Sequence, residues 1–313
     1  MPVRKTTSAV TVLGLAAFAL VGCAAAPETP AACGRADGAS TALDSVSVEG
    51  DFLAGTPTIE APSHFHSTGV QYRDQVEGTG TIVTSAAQPV ALSVDFVNPA
   101  TKESVALNPG PAMTIESWQD ILPGLADALQ CAAEGSRVIA ALGENGINEE
   151  FGAQLPSYIA TDGSDLGLGD VITVIDVNRV YLSAADGSLV YNAGSGMPSV
   201  VRDGDGVPGV TIPNSSAPAK QKTETLIKGD GEKIADGDTV TVHYTSVDWK
   251  NSSVTSSTWD TGTPASATLD QLPSGFEKAL TGATVGSQVV TVVPEAGGTA
   301  TVSVIDVLGI DKP

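Results

Sequence analysis

The chain is short of aromatic residues, of basic residues and of long apolar runs, and each shortage excludes something. Only 4% of its 313 residues are Phe, Trp or Tyr, whereas Gly alone supplies 34. A chain rich in Gly, Thr, Val and Ser favours short strands and tight turns over long helices. Lys and Arg number 15 against 36 Asp and Glu, a net charge of −21. So negative a surface repels phosphate backbones, which argues against nucleic-acid partners. The charge reads as solubility outside the cytoplasm rather than as specific recognition. At a typical ~100–200 residues per domain, the length suggests about two domains.

The longest apolar run lies near the start, from about Ala9 to Val21, after Arg4 and Lys5. It falls short of the ~20 residues that span a bilayer and suits the core of a signal peptide. It ends in Leu20-Val21-Gly22-Cys23, which resembles a bacterial lipobox. That resemblance implies cleavage of residues 1–22, acyl chains on Cys23 (palmitate among the candidates), and anchoring at the extracytoplasmic face of the cell membrane. Two or more chains anchor stably where one binds marginally. With Cys23 lipidated, Cys33 and Cys131 remain in an oxidising compartment and are expected to form one disulfide. Residues 23–44, small, polar and Pro-containing, read as a tether.

The rest of the chain contains a repeat. Ala128, Leu129, Gly135, Ser136 and Val138 recur as Ala279, Leu280, Gly286, Ser287 and Val289, always 151 positions on. Gly78 and Gly80 recur as Gly229 and Gly231 at the same offset, which argues for duplication. Copy one spans residues 45–190 and copy two 222–313, with a Gly-, Pro-, Asp- and Ser-rich loop or linker, 191–221, between them. Val174-Ile175-Asp176-Val177 echoes Val304-Ile305-Asp306-Val307 at a shorter offset, so copy one carries about 21 extra residues before its last strand. Each copy predicts one plan. A Gly-x-Gly turn precedes an alternating strand, with Val240, Val242 and Tyr244 on one face and Thr239, Thr241 and His243, expected exposed, on the other. One short helix follows, through Leu272, Phe276, Ala279 and Leu280, ended by Gly282; Trp118, Leu122, Leu125 and Leu129 have similar spacing. Two core strands follow. The fold class is α+β, two units that each wrap a bent antiparallel sheet around one short helix.

Copy two resembles a known family. LIKGDGEKIADGDTVTVHYTSV, SSTWDTGTPASATL, LPSGFEKALTGATVGSQVVTVVP and VIDVLGI, in that order, resemble an FKBP-type peptidyl-prolyl cis/trans isomerase over about residues 224–310. The whole chain resembles an actinobacterial-type lipoprotein ending in such a domain, and copy one resembles the same fold more weakly. The resemblance implies a pocket that holds proline among apolar and aromatic side chains. An Xaa–Pro bond crosses a barrier of about 18–20 kcal/mol and isomerises unaided in tens to hundreds of seconds. No nucleophile or cofactor is required.

Carried over residue by residue, the resemblance places Tyr244 of HYTS as the pocket tyrosine and Phe276 of LPSGF as the aromatic floor. Leu272 and Pro273 replace the pair that frames the pocket. Val254 and Thr255 fall where the family has a pocket Phe and a peptide-orienting Asp, and Ile305 replaces the final-strand Phe. The loop EAGGTA, residues 295–300, lacks the family's tyrosine, and Trp259 is a candidate to refill the gap. The implied activity is prolyl isomerisation or proline-directed folding assistance for polypeptides outside the cytoplasm, weak because the pocket is depleted. The alternative is a non-catalytic lipoprotein that binds or scaffolds partners.

Other motifs read as structure. His64-Phe65-His66 could set two imidazoles on one strand face, but no clustered third ligand is evident, so no metal is assigned. GDG at 229–231 and DGDG at 203–206 lack the rest of a calcium loop and read as turns. Ser136 and Ser287 follow glycines without a nucleophile-elbow motif.

Overall fold

The repeated Gly-x-Gly and Gly-Ser phrases bind each other. Ser136 Oγ accepts the Gly78 N–H at 2.9 Å, and Ser287 Oγ accepts the Gly229 N–H at 3.1 Å. Gly135 and Gly286 take the left-handed φ values of 89° and 87°, which favour glycine. A Cβ on Gly78 or Gly229 would lie 2.2 or 2.1 Å from a facing carbonyl oxygen. Both phrases therefore recur because each copy needs the pair to close the same turn.

The computed structural model describes residues 33, 42–50, 52, 57–107, 110–192, 194 and 196–313. The signal-peptide and Cys23 expectations, and nearly all of the tether, lie outside them. Where the tether was expected to end, Leu43–Ser45 forms one 3-10 turn that buries Leu43. Cys33 and Cys131 are both disulfide-bonded.

Copy one opens with a hairpin, β1 (Ser47–Glu49) and β2 (Thr58–Glu60). Strands β3 (Gln71–Val76), β4 (Pro89–Val97), β5 (Ser104–Leu107) and β6 (Met113–Thr114) follow. Then come α1 (Ile115–Gln119), α2 (Leu125–Leu129), β7 (Arg137–Ala141), α3 (Glu149–Gly152), α4 (Pro156–Ile159) and β8 (Ile172–Val180). Its antiparallel sheet runs β3-β7-β8-β4-β5, with β6 also on β4. The sequence predicts one helix through Trp118 and Leu129, but the structure has two. Thr114 caps α1 by accepting the Ser117 N–H, and Pro123, which cannot continue a helix, separates α1 from α2.

Copy two contains β9 (Ser188–Leu189), a hairpin of β10 (Ser199–Arg202) and β11 (Pro208–Thr211), and strands β12 (Lys222–Lys228) and β13 (Thr239–Asp248). These are followed by β14 (Val254–Ser257), β15 (Ala265–Thr268), α5 (Phe276–Leu280), β16 (Gln288–Pro294) and β17 (Ala300–Asp311). Its sheet runs β14-β13-β17-β16-β12-β9, with β15 on β13, reproducing the order of copy one. The β9 strand, assigned by sequence to copy one, is an edge of this second sheet.

Each sheet is buried on both faces. In copy two, one face packs Val240, Val242, Val289, Ile305 and Val307 around Phe276 and Leu280 of α5. The other packs Val290, Val292, Val302 and Val304 beneath Met197, Val200, Val210 and Ile212 of the β10–β11 segment. The stretch expected as a linker is thus a lid on the sheet, and Asp203 Oδ1 organises its turn by accepting the N–H groups of Asp205 and Val207. In copy one the β1–β2 hairpin covers Ile139, Ala141, Ile172 and Val174 in the same way. The duplication extends to these lids. Pro57, Ile59, Ala61 and Pro62 recur at the 151-residue offset as Pro208, Val210, Ile212 and Pro213.

Two-sided burial corrects the expectation for His243. It is 1% exposed rather than solvated, because Trp259 covers the face opposite Tyr244. Beneath the lids sit matching polar pairs. Arg137 donates from Nε and Nη2 to Asp176 at 2.6 and 2.7 Å, and Nη1 reaches the Gly50 carbonyl. At the equivalent place in copy two Gln288 donates to Asp306 at 2.8 Å, and burial raises the Asp306 carboxyl above its ordinary range. His64–His66 is not a strand. Phe65 is buried under the first lid, and His66 Nδ1 lies 2.8 Å from Asp170 Oδ1.

Candidate functional site

The site of copy two is built on β13 and the start of α5. Leu272 is buried, and an exposed turn at Pro273 accepts the Phe276 N–H at 3.0 Å. Gly275 takes φ 86° and caps the helix; a Cβ there would meet Val293 Cγ2 at 2.4 Å. This turn drives the Phe276 ring into the core, where it is 1% exposed. Tyr244 is half-buried on β13 and meets Phe276 edge-on, with centroids 5.2 Å apart at 90°, a favourable aromatic geometry. Ile305 pairs with Tyr244 across β13 and β17 and lies fully buried beside it. Tyr244, Leu272, Phe276 and Ile305 thus share one apolar cluster, to which Ala265, Ala267 and Leu269 add partly buried walls.

The other expected residues do not join them. Val254 is 59% exposed on the edge strand. Thr255 turns its hydroxyl to the Ser246 carbonyl at 3.2 Å. Ser256 takes the place expected for Thr255: its Oγ lies 3.2 Å from the Tyr244 hydroxyl. The cause is a β-bulge on β14, where the register shifts between Ser246 and Val247 and so moves side chains by one position. Trp259 does not refill the pocket; it stacks on His243, centroids 4.4 Å apart at 26°, on the opposite face of β13. Burial holds the His243 imidazole down at about 4, and it stays neutral at physiological pH. Pro273 supplies the turn rather than a wall.

Copy one keeps the framework, with aliphatic residues where copy two has Tyr244 and Phe276. Val94 faces Ile175 across its sheet as Tyr244 faces Ile305, and Leu125 opens α2 as Phe276 opens α5. The extra residues before β8 form α3 and α4; Ile147 ahead of α3, Leu155 between the two and Ile159 at the end of α4 join the core, with Phe151 of α3 5.4 Å from Phe96. The equivalent connection in copy two is a short turn at 295–299. Among the described residues no group of three or more His, Cys, Asp or Glu side chains could hold a metal ion, and no helix is long and apolar enough to cross a membrane.

The family model described as FKBP-type peptidyl-prolyl cis-trans isomerase matches residues 230–298. The chain is similar to a Corynebacterium glutamicum protein described as a probable FK506-binding protein, 31% identical over 90 residues, 28% of this chain and 76% of that protein. It is also similar to an FK506-binding protein of Streptomyces anulatus, 30% identical over 89 residues, 28% of this chain and 72% of that protein. Among solved structures, the three FKBP domains of wheat FKBP73 are 12% identical, covering 78% of this chain and 96% of that one at a TM-score of 0.31, too loose to bear on domain arrangement. Copy two's cluster, its residue order and these relatives agree: the chain belongs to the FKBP-type peptidyl-prolyl cis-trans isomerase family.

Proposed function

We propose that copy two binds proline in extended polypeptides outside the cytoplasm and catalyses their cis–trans isomerisation weakly, assisting folding, while a lipid on Cys23 holds the chain at the membrane. Catalysis here needs only a dry, oriented surface. Taking the Xaa–Pro amide out of water favours its twisted, less charge-separated transition state, and a fixed hydroxyl orients the peptide. The observation that carries the reading is Tyr244, half-buried, edge-on to Phe276 and tied through its hydroxyl to Ser256. Serine supplies this tie without the charge of an aspartate. Weakness follows from the exposed Val254 and from a short, aromatic-free turn at 295–299 between the last two strands. One observation favours the second reading, a non-catalytic scaffold: the Phe276 ring is almost wholly covered by its neighbours.

A proline-isomerisation assay on a short peptide separates the two. The expected result is catalysis above the uncatalysed rate, reduced at least about tenfold by Phe276→Ala and by Tyr244→Phe. No catalysis by the folded wild-type chain, with polypeptide binding retained, would favour the scaffold.

A further inference from the structure

Strand β14 ends at Ser257, yet the chain stays fastened to β13 for one more residue. The Thr258 N–H donates to the Tyr244 carbonyl at 3.1 Å, and Thr258 Oγ1 accepts the Tyr244 N–H at 2.9 Å. The same Oγ1 lies 2.9 Å from His243 Nδ1. One hydroxyl therefore engages two successive residues whose side chains leave opposite faces of the strand. Trp259 then lies flat on His243, so the back of the strand is packed directly behind Tyr244. The far end of this loop is held by copy one. The Thr114 N–H donates to the Gly262 carbonyl at 2.9 Å, and Ser117 Oγ donates to the Thr261 carbonyl at 3.3 Å. The approach is close enough to require glycine: Gly262 has φ 60°, and a Cβ there would sit 2.3 Å from Ser117 Oγ.

We infer that Thr258 is a positioning residue for Tyr244, and that copy one serves the prolyl site by bracing the Thr258–Gly262 loop from its β6–α1 corner. The inference rests on the isomerase reading of copy two. Tyr244 is tied by its ring to Phe276, by its hydroxyl to Ser256, and by its backbone to Thr258 on one side and to the Ile305 strand on the other. The Thr258 tie leads to copy one through the Thr261–Gly262 corner. A small displacement of an orienting group lowers turnover more than it weakens binding of a substrate held by apolar surface.

The test uses the full chain with Thr258→Val, Thr258→Ser and Ser117→Ala, read by isomerisation kinetics on a short Xaa–Pro peptide and by NMR of ¹³C-labelled tyrosine, with the Tyr244 resonance assigned from Tyr244→Phe. Thr258→Val is expected to lower kcat about tenfold with KM changed by less than about twofold, and Thr258→Ser, which keeps the hydroxyl, to restore kcat to within about twofold. Of the five tyrosines, Tyr244 alone is expected to shift in Thr258→Val, and to shift in the same direction but less in Ser117→Ala. Wild-type kcat in Thr258→Val, an unmoved Tyr244 resonance in Ser117→Ala, or displacement of all the tyrosine resonances together would overturn the inference. A folded wild-type chain without isomerisation would overturn the isomerase reading itself, and the inference with it.

Discussion

His243 is the residue where the environment departs furthest from its place in the sequence. Alternation along β13 puts it opposite Tyr244, but solvent does not follow, because Trp259 arrives from a separate turn and covers it. Its buried imidazole titrates near 4, below the ordinary value of about 6.5. Between those values the unfolded chain takes up a proton that the folded chain refuses. Stability from this residue is therefore present in full above about pH 6.5 and is lost as pH falls towards 4, by about 3 kcal/mol in all. Urea unfolding at pH 7 and pH 4.5 checks this. The wild-type midpoint should fall further between the two than that of His243→Gln, whereas equal falls would show that the histidine protonates freely in the folded chain. The raised carboxyl of Asp306 works in the opposite direction but is common to both proteins. The polar partner of Tyr244 was hidden for a similar reason: ungapped alignment points to Thr255, and the bulge that brings Ser256 forward leaves no mark in composition.

At the scale of elements, what could be read and what could not divide by the range of the forces. The alternation of β13, the apolar spacing of α5 and the glycines around β16 are local patterns, and each element is present, though α5 begins only at Phe276 and leaves Leu272 in the turn before it. The β10–β11 lid read as linker because its apolar residues are few and widely spaced among turn formers. Its partner is the outer face of β16 and β17, which shows in the sequence only as strands that are apolar almost throughout, QVVTVVP and ATVSVIDVLG. Helices α3 and α4, four residues each, are too short to print a helical period. If the lid belongs to the fold, Met197→Ala, which empties its buried anchor, should cost about 2 kcal/mol or more in urea unfolding. A change of a few tenths would mean that the lid rests on the sheet without stabilising it.

At the scale of the molecule the two copies meet through fixed polar contacts as well as through the Thr114 and Ser117 brace. The Tyr181 hydroxyl donates to Asp311 at 2.7 Å, and burial with that carboxylate raises its pKa. Arg179 Nη2 donates to the Ile310 carbonyl at 2.7 Å, and the same guanidinium pairs with Glu134 and Asp311. Duplication has thus been used asymmetrically. One copy packs residues of its α3–α4 segment into its core; the other keeps a half-buried tyrosine edge-on to a buried phenylalanine. The most direct test is a chemical-shift titration of the full-length, isotope-labelled chain with a short Xaa–Pro peptide. Shifts are expected at Tyr244, Ser256, Leu272 and Phe276, with none at Val94 and Leu125 in the core of copy one. Shifts centred on copy one, or no saturable change around Phe276, would contradict a prolyl site in copy two.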